Sequence, residues 1–249
     1  MATRTQPRFA IGIPARNEAE LVSRSLQSVL AAADELDDPE SVRLVIACDS
    51  CSDPTADIAR VIADGDNRVD VIEGAWRSAG TARAAAIQRA LDNVRGKSAP
   101  SDIWVATTDA DTVVPANWLC VHADHWAQGD DAVAGIVDLL DLLDDNADVL
   151  NAFGRHYVLG HDSHGHVHGA NLGIRGSAYL SVGGFPRVDL AEDHALWQAL
   201  RAQGFDCRSS VALRVWTSAR LIGRAAGGFA DTLRDVLAAF ADHESVATA

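Results

Sequence analysis

Asp109-Ala110-Asp111 sets two carboxylates at alternate positions directly behind an apolar run, Ile103–Thr107. Alternate residues at a strand end can turn toward one pocket, and paired hard-oxygen donors of this kind suit Mg2+ or Mn2+, ions that retain water and accept phosphate oxygens. A helix cap or a solvated turn would use the same residues in a chain this acidic. Placement favours the metal: a further acid, Asp49, follows another apolar run, Arg43–Ala47, and ligands of open α/β sheets bind at the carboxyl ends of strands. Cys48-x-x-Cys51 has the spacing of a redox pair but stands too early in the strand and helix pattern for that use, so reduced thiols are expected. His156, His161, His164, His166 and His168 share one tract, and His164-x-His166-x-His168 would place three rings on one strand face. No cysteine pair or H-E-x-x-H helix accompanies them, so a structural zinc is not expected.

The elements that must position these residues follow from periodicity. Short β-branched runs alternate with helical patterns, the signature of βαβ units around a mostly parallel sheet. Phe9–Ile13 is the expected first strand, ended by Pro14, with Asn17 and Glu20 as a capping box for a helix carrying Val22, Leu26, Val29 and Leu30. Arg43–Ala47 is the second strand; Asp53 then caps, with Pro54 in its first turn, a helix burying Ile58, Val61 and Ile62. A strand over Val69–Ile72, a helix over Thr81–Val94 and the strand Ile103–Thr107 follow. Later, Gly183-Gly184 breaks the chain, and Glu192-Asp193 opens a helix that carries Leu196 and Leu200 and is closed by Gly204. Acids in that first turn complement the helix dipole whatever else they do.

Several classes are excluded. The first strand runs into Gly12-Ile13-Pro14-Ala15-Arg16-Asn17-Glu18, not a G-x-G-x-x-G turn, and no G-x-x-x-x-G-K-[ST] loop occurs; the single lysine, Lys97, lies in a polar loop. With 249 residues, 48% of them hydrophobic, the chain suits one α/β domain. Its net charge of −14 argues against nucleic acid as a partner. Asp34–Glu40 holds five acids and Asp130–Asp148 seven, with no Lys or Arg in either, and both are expected to be solvated surface. The longest apolar runs fall far short of the roughly 20 residues that span a bilayer, so no membrane span is expected. Four irregularly spaced cysteines and the N-terminal composition point to a reducing, cytoplasmic setting.

Taken together, the motifs resemble those of the family-2 glycosyltransferases with the GT-A fold. Ile11–Glu18 is similar to the family's opening strand and loop, Cys48-Asp49-Ser50-Cys51-Ser52-Asp53-Pro54-Thr55 to its second-strand motif, Gly80-Thr81-Ala82-Arg83 to its Gly-x-Ala-Arg segment, and Thr108–Asp111 to its D-x-D. Gly169-Ala170-Asn171-Leu172, Gly183-Gly184-Phe185-Pro186 and Glu192-Asp193 continue the order to about residue 205. The chain departs from the usual pattern at Cys48, at Ser50-Cys51 and at Ala84, which leaves the nucleobase open. The implied fold class is α/β of GT-A type: a Rossmann-like, mostly parallel sheet flanked by helices, with an acceptor-side C-terminal part. One domain over 1–249 is expected, with a nucleotide-sugar half at 8–125, an acceptor and catalytic half at 126–215, and a helical C-terminal segment at 216–249.

The resemblance implies inverting transfer of a sugar from a nucleotide-diphosphate donor to an acceptor hydroxyl, with Mn2+ or Mg2+. Pro14, Ala15, Asn17 and Glu18 would line the nucleotide pocket, Asp49 would pair with the base, and Arg83 would hold the nucleotide. Asp109 and Ala110 would face the ribose, Asp109 and Asp111 would bind the metal, and His168 would be a third ligand beside a mobile acceptor loop. Inversion needs a carboxylate to take the acceptor proton; Asp193 is the expected base and Glu192 its partner in orienting hydroxyls. Arg220, with Arg224, would close over the diphosphate, surface arginines being the plainer alternative. Leu221–Ala241 has near-helical apolar spacing, read as core or dimer face, with peripheral membrane association as the other use. A nucleotidyltransferase and a non-catalytic nucleotide-sugar or glycan-binding module are the rival functions. Acceptor, donor sugar and oligomeric state are not encoded in these motifs.

Overall fold

The structure, a computed structural model, describes residues 6–96, 98–140, 164–188 and 190–220. Four strands, β1 (Arg8–Ala15), β2 (Val42–Asp49), β3 (Val69–Gly74) and β4 (Ile103–Thr107), alternate with helices α1 (Val22–Asp34), α2 (Thr55–Gly65) and α3 (Ala79–Arg95). All pair in parallel in the order β3-β2-β1-β4. Their runs are apolar on both faces because helices cover both. Ile11, Ile13, Leu44 and Ile46 pack toward α1 and α2, while Ala10, Val45 and Ala47 pack toward Ala82, Ala86, Ile87 and Leu91 of α3. Gly12 permits the close approach of α3, since a Cβ there would lie 2.5 Å from Ile87 Cγ1.

The sheet then turns antiparallel. β5 (Thr112–Val113), α4 (Trp118–Gln128), β6 (Ala132–Leu140), β7 (Leu172–Arg175), α5 (Gly176–Ser181), α6 (Glu192–Ala202) and β8 (Cys207–Ser218) extend it in the order β4-β7-β6-β8-β5. β7 runs antiparallel to both β4 and β6, and β8 is parallel to β6. Between β6 and β8 the register breaks: Gly135 stands opposite Ser210, but Ile136 stands opposite Arg214. Asn171, fully buried, clasps this bulge, its Nδ2 donating to the carbonyls of Ile136 at 2.9 Å and Leu213 at 3.0 Å while its Oδ1 accepts from Trp118 Nε1 at 3.0 Å. Among the described residues no helix is long and apolar enough to cross a membrane.

Several local expectations are corrected. β1 continues through Pro14 to Ala15, because pairing with β4 ends at Gly12 and leaves that strand a side where a missing N–H breaks no ladder. α1 begins at Val22 without a side-chain cap; Asn17 takes a left-handed φ of 56° and its Oδ1 accepts from Ser52 N instead. Pro54, not Asp53, is the N-cap of α2, and Asp53 accepts from Thr55 N at 3.1 Å just ahead of the helix; Ile58 and Ile62 pack on the core with buried Ala56 and Ala59, but Val61 is 73% exposed. The acid runs are not uniformly solvated: Asp34 pairs with Arg68, Asp130 is buried against His125, Asp131 approaches Arg175 and Asp138 pairs with Arg214. Asp141–Asp148, His156, His161 and Leu221–Ala241 with Arg224 lie outside the described residues.

Candidate functional site

The carboxyl ends of β1, β2, β3 and β4 form one rim. Just beyond β1, Asn17 binds Ser52 N at 2.7 Å, Glu18 N donates to Thr55 Oγ1 at 2.7 Å, and Ala19 N donates to Asp53 Oδ2 at 3.1 Å. This ties the first loop, carrying Pro14 and Ala15 at its root, to the start of α2. Asp49 ends β2 almost wholly buried, its Oδ1 accepting from Arg77 N at 3.0 Å. Asn17, Ser50 and Arg77, which follow β1, β2 and β3, all have left-handed backbone despite bearing side chains. Such strain persists where surrounding contacts over-determine the chain, and it clusters at ligand sites.

Asp109 and Asp111 follow β4. Ala110 between them packs its methyl into the core, so only its main chain is left for a ligand. Asp111 is nearly withdrawn from water, and burial pushes its pKa up to about 6, against the pull of Arg220 and with the added push of Asp109 and Glu18. Arg220 Nη2 lies 2.9 Å from Asp111 Oδ2, and Thr217 Oγ1 donates to Asp111 Oδ1 at 3.3 Å. The same guanidinium grips Glu18 with both nitrogens, at 2.7 and 2.6 Å.

Arg83 joins this acidic pair to the second one. It reaches Asp109 Oδ1 at 2.7 Å with Nη2 and Glu192 Oε1 with Nη1, and it is 3% exposed. Burial alone would pull its pKa down, but Asp109 and Glu192 outweigh that and raise it, so the charge is fixed. Gly169 covers it where any Cβ would lie 2.7 Å from the guanidinium carbon, and the Phe185 ring stands 5.5 Å away. Gly80 likewise makes room for Glu192.

Asp193, in the first turn of α6, accepts from Gly169 N at 2.8 Å and His194 N at 2.7 Å, which orients its carboxylate; Ala191, at φ 56°, turns the chain into that helix. His164, His166 and His168 stack on one face, with centroids 6.0 and 5.9 Å apart. His164 cannot serve a metal as placed, since its Nε2 meets the Ala134 carbonyl at 3.0 Å and its Nδ1 accepts from His166 N. Burial pulls the His168 pKa down to about 4, against the attraction of Asp193, and the other charges acting on it are those of His166, His194 and His164. Among the described residues no group of three His, Cys, Asp or Glu is gathered to hold a metal. The thiols of the C-x-x-C are free, and burial pushes Cys48 up to about 12.

Glu18, Asp111 and Arg220 thus meet in one cluster, Asp109, Arg83 and Glu192 in another, with Asp193 beside the latter and Asp49 farther along the rim. Sequence reasoning missed Thr217 and the packing of Gly169 and Phe185 around Arg83. No motif marks Thr217 in the sequence; the β5–β8 pairing of Thr112 with Thr217 explains why it reaches Asp111.

The model of the glycosyl transferase family 2 matches residues 10–163, more than half of the sequence. The chain belongs to that family. The Glu192-Asp193 pair of this family 2 chain lies beyond the matched residues. No curated protein matches the sequence. Among solved structures, the fold is similar to that of a mannosyltransferase from Pyrobaculum calidifontis in complex with GDP-Man and Mn2+, at 20% identity and a TM-score of 0.60, over 86% of this chain and 58% of that one. S. aureus TarS 1–349 is similar at 12% identity and a TM-score of 0.61, over 86% and 61%; its complex with UDP aligns over 94% and 70%. The family 2 chain therefore spans about three-fifths of the first two structures it resembles.

Proposed function

We propose that the chain transfers a sugar, with inversion, from a nucleotide-diphosphate donor to an acceptor hydroxyl, assisted by Mn2+ or Mg2+. The observation that carries this is the joining of the D-x-D to the Glu192-Asp193 pair through buried Arg83. The mannosyltransferase holding GDP-Man with Mn2+ and TarS holding UDP support donors of this class. The residues fit a divalent ion that keeps most of its other ligands as water or phosphate oxygens: Asp109 and Asp111 are a pair of hard oxygen donors, Asp111 in a largely buried setting, and with Glu18, Glu192 and Asp193 the acids outnumber Arg83 and Arg220. Asp111, with Asp109, would hold the ion, which when bound supplies positive charge to the departing diphosphate.

The chain's own residues do the rest. Asp49 and the strained loops after β1 and β3 offer acceptors and N–H groups to the nucleoside. Arg83 holds Asp109 and Glu192 in fixed relation. Asp193 Oδ1 or Oδ2 takes the proton of the acceptor hydroxyl as its oxygen attacks the anomeric carbon, and Glu192 orients the acceptor. Incubation with UDP-, GDP- and dTDP-sugars and Mn2+, read by thermal shift and slow donor hydrolysis, tests the proposal. At least one donor is expected to stabilise the protein and be hydrolysed; no stabilisation by any, with or without metal, overturns it. Asp193→Asn is expected to keep donor binding while transfer falls about 100-fold or more, the usual size of a general-base contribution, and retained turnover would move the base elsewhere.

A further inference from the structure

Arg220 stands where the donor's cation is proposed to act. Its guanidinium fork is shared among three carboxylate oxygens, two of Glu18 and one of Asp111, at 2.6–2.9 Å. Glu18 is 5% exposed, and its main chain is fixed to the head of α2 through Thr55. Asp111 is held from its other side by Thr217, on the same strand that leads to Arg220. The carboxylate that would bind a metal is therefore already neutralised, by a side chain at the end of β8.

We infer that Arg220 is an exchangeable resident cation: it occupies Asp111 and Glu18 before the donor arrives and competes with the divalent ion. The nucleotide's diphosphate, a better partner for a guanidinium fork than a carboxylate edge, draws it off as the metal enters. Arg220 thereby determines the order of binding, with metal alone held weakly and metal with a nucleoside diphosphate held tightly. No covalent change is involved; one cation replaces another on Asp111 and the displaced one moves to the phosphates. The inference rests on the donor class proposed above and adds which residue of this chain gates the metal.

The test titrates Mn2+ into the whole chain, following free Mn2+ by electron paramagnetic resonance, with and without UDP, GDP or dTDP. Three variants are compared with the unaltered protein. Arg220→Met removes the resident cation; Arg220→Lys keeps a charge without the fork; Arg214→Met removes an arginine of the same strand that serves Asp138 and not Asp111. For unaltered protein, a nucleoside diphosphate is expected to tighten Mn2+ by about tenfold or more. Arg220→Met is expected to bind Mn2+ alone about tenfold more tightly, with most of that coupling lost, and Arg220→Lys to fall between. Arg214→Met should stay within about twofold of the unaltered protein. Equal Mn2+ affinity in Arg220→Met and unaltered protein, or an equal gain in Arg214→Met, overturns the exchange while the donor class stands. If the unaltered protein binds none of UDP, GDP and dTDP with Mn2+, the donor class falls and the exchange with it. Should Arg220→Met fail to give native circular dichroism, Arg220→Lys decides on the same criteria.

Discussion

Replacing Arg83 with Met removes a buried cation while keeping most of the side chain's length. Arg83 is shared between Asp109, whose side chain is 33% exposed, and Glu192, whose side chain is 15% exposed. Breaking a buried ion pair by deleting one partner costs about 3–5 kcal/mol, because the other charge is left unpaired away from water. Asp109 can recover hydration by virtue of its exposure and Glu192 cannot, which places the expected loss near the lower end, about 3 kcal/mol. The lost contact with the Phe185 ring adds about 0.5–1 kcal/mol. Together, about 3.5–4 kcal/mol in a chain this size corresponds to a fall in Tm of about 7–16 °C. Urea unfolding followed by tryptophan fluorescence gives the free energy directly. The decisive comparison is the double variant: if stranded Glu192 is the main penalty, Arg83→Met/Glu192→Gln should be about 1–2 kcal/mol more stable than Arg83→Met alone. A loss under 1 kcal/mol for the single variant, or a double variant less stable than the single, would refute the view that Arg83 is held by these charges.

Three further outcomes are expected. His122 is fully buried, its Nδ1 accepting from Trp104 Nε1, and burial pulls its pKa down to about 3 from 6.5. Its folded pKa is depressed, so its contribution is present above pH 6.5 and lost as pH falls toward 3; the stability advantage of unaltered protein over His122→Asn should shrink by up to about 1.4 kcal/mol per pH unit between pH 6 and 4 in urea titrations, and a constant difference would refute it. Gly183 and Gly184 both have positive φ, but a Cβ at Gly184 would also lie 2.9 Å from the Tyr179 ring, whereas one at Gly183 meets nothing. Gly183→Ala should cost about 1 kcal/mol and Gly184→Ala distinctly more, in denaturant unfolding; equal losses would sink the distinction. Thr217→Val should leave stability within about 1 kcal/mol while weakening Mn2+ binding in the presence of UDP or GDP by several-fold, read in the same Mn2+ titration, and unchanged affinity would remove Thr217 from the site.

The parallel half was legible because its code is local. β-branched runs fixed β1 to β4, the 3.6-residue spacing fixed α1 and α6, and Leu196 and Leu200 are buried as that spacing requires. The acids at strand ends converge on one rim because parallel strands present like ends together. What escaped was non-local. Arg83 bridges partners 26 and 109 residues away, and Asn17 answers to Ser52, 35 residues on, so neither role leaves a short-range pattern. Asp130 read as a surface acid, since the turn that ends α4 folds His125 back onto it and the distant Arg208 closes its other side, and neither contact has a fixed sequence spacing. The mixed order β7-β6-β8-β5 has no signature in any single strand.

The bulge between β6 and β8 carries a consequence of arithmetic. A strand assigns its side chains to faces by odd and even position, and three extra residues, an odd number, invert that assignment. Before the bulge the buried residue of β8 is even-numbered, Ser210; after it the alternating buried positions are Leu213, Val215 and Thr217, with Ser218 buried as well at the strand's end. Had the pairing run on unbroken, Arg214 would stand opposite Leu139, the place Thr217 holds. Asn171, by clasping the carbonyls of Ile136 and Leu213, therefore acts as the stop that sets a vernier: a side chain in the core determines, from the far end of a strand, which residue is offered to Asp111. Insertions or deletions of two residues within the bulge, residues 211–213, would preserve parity, and a change of one would exchange the faces of everything that follows.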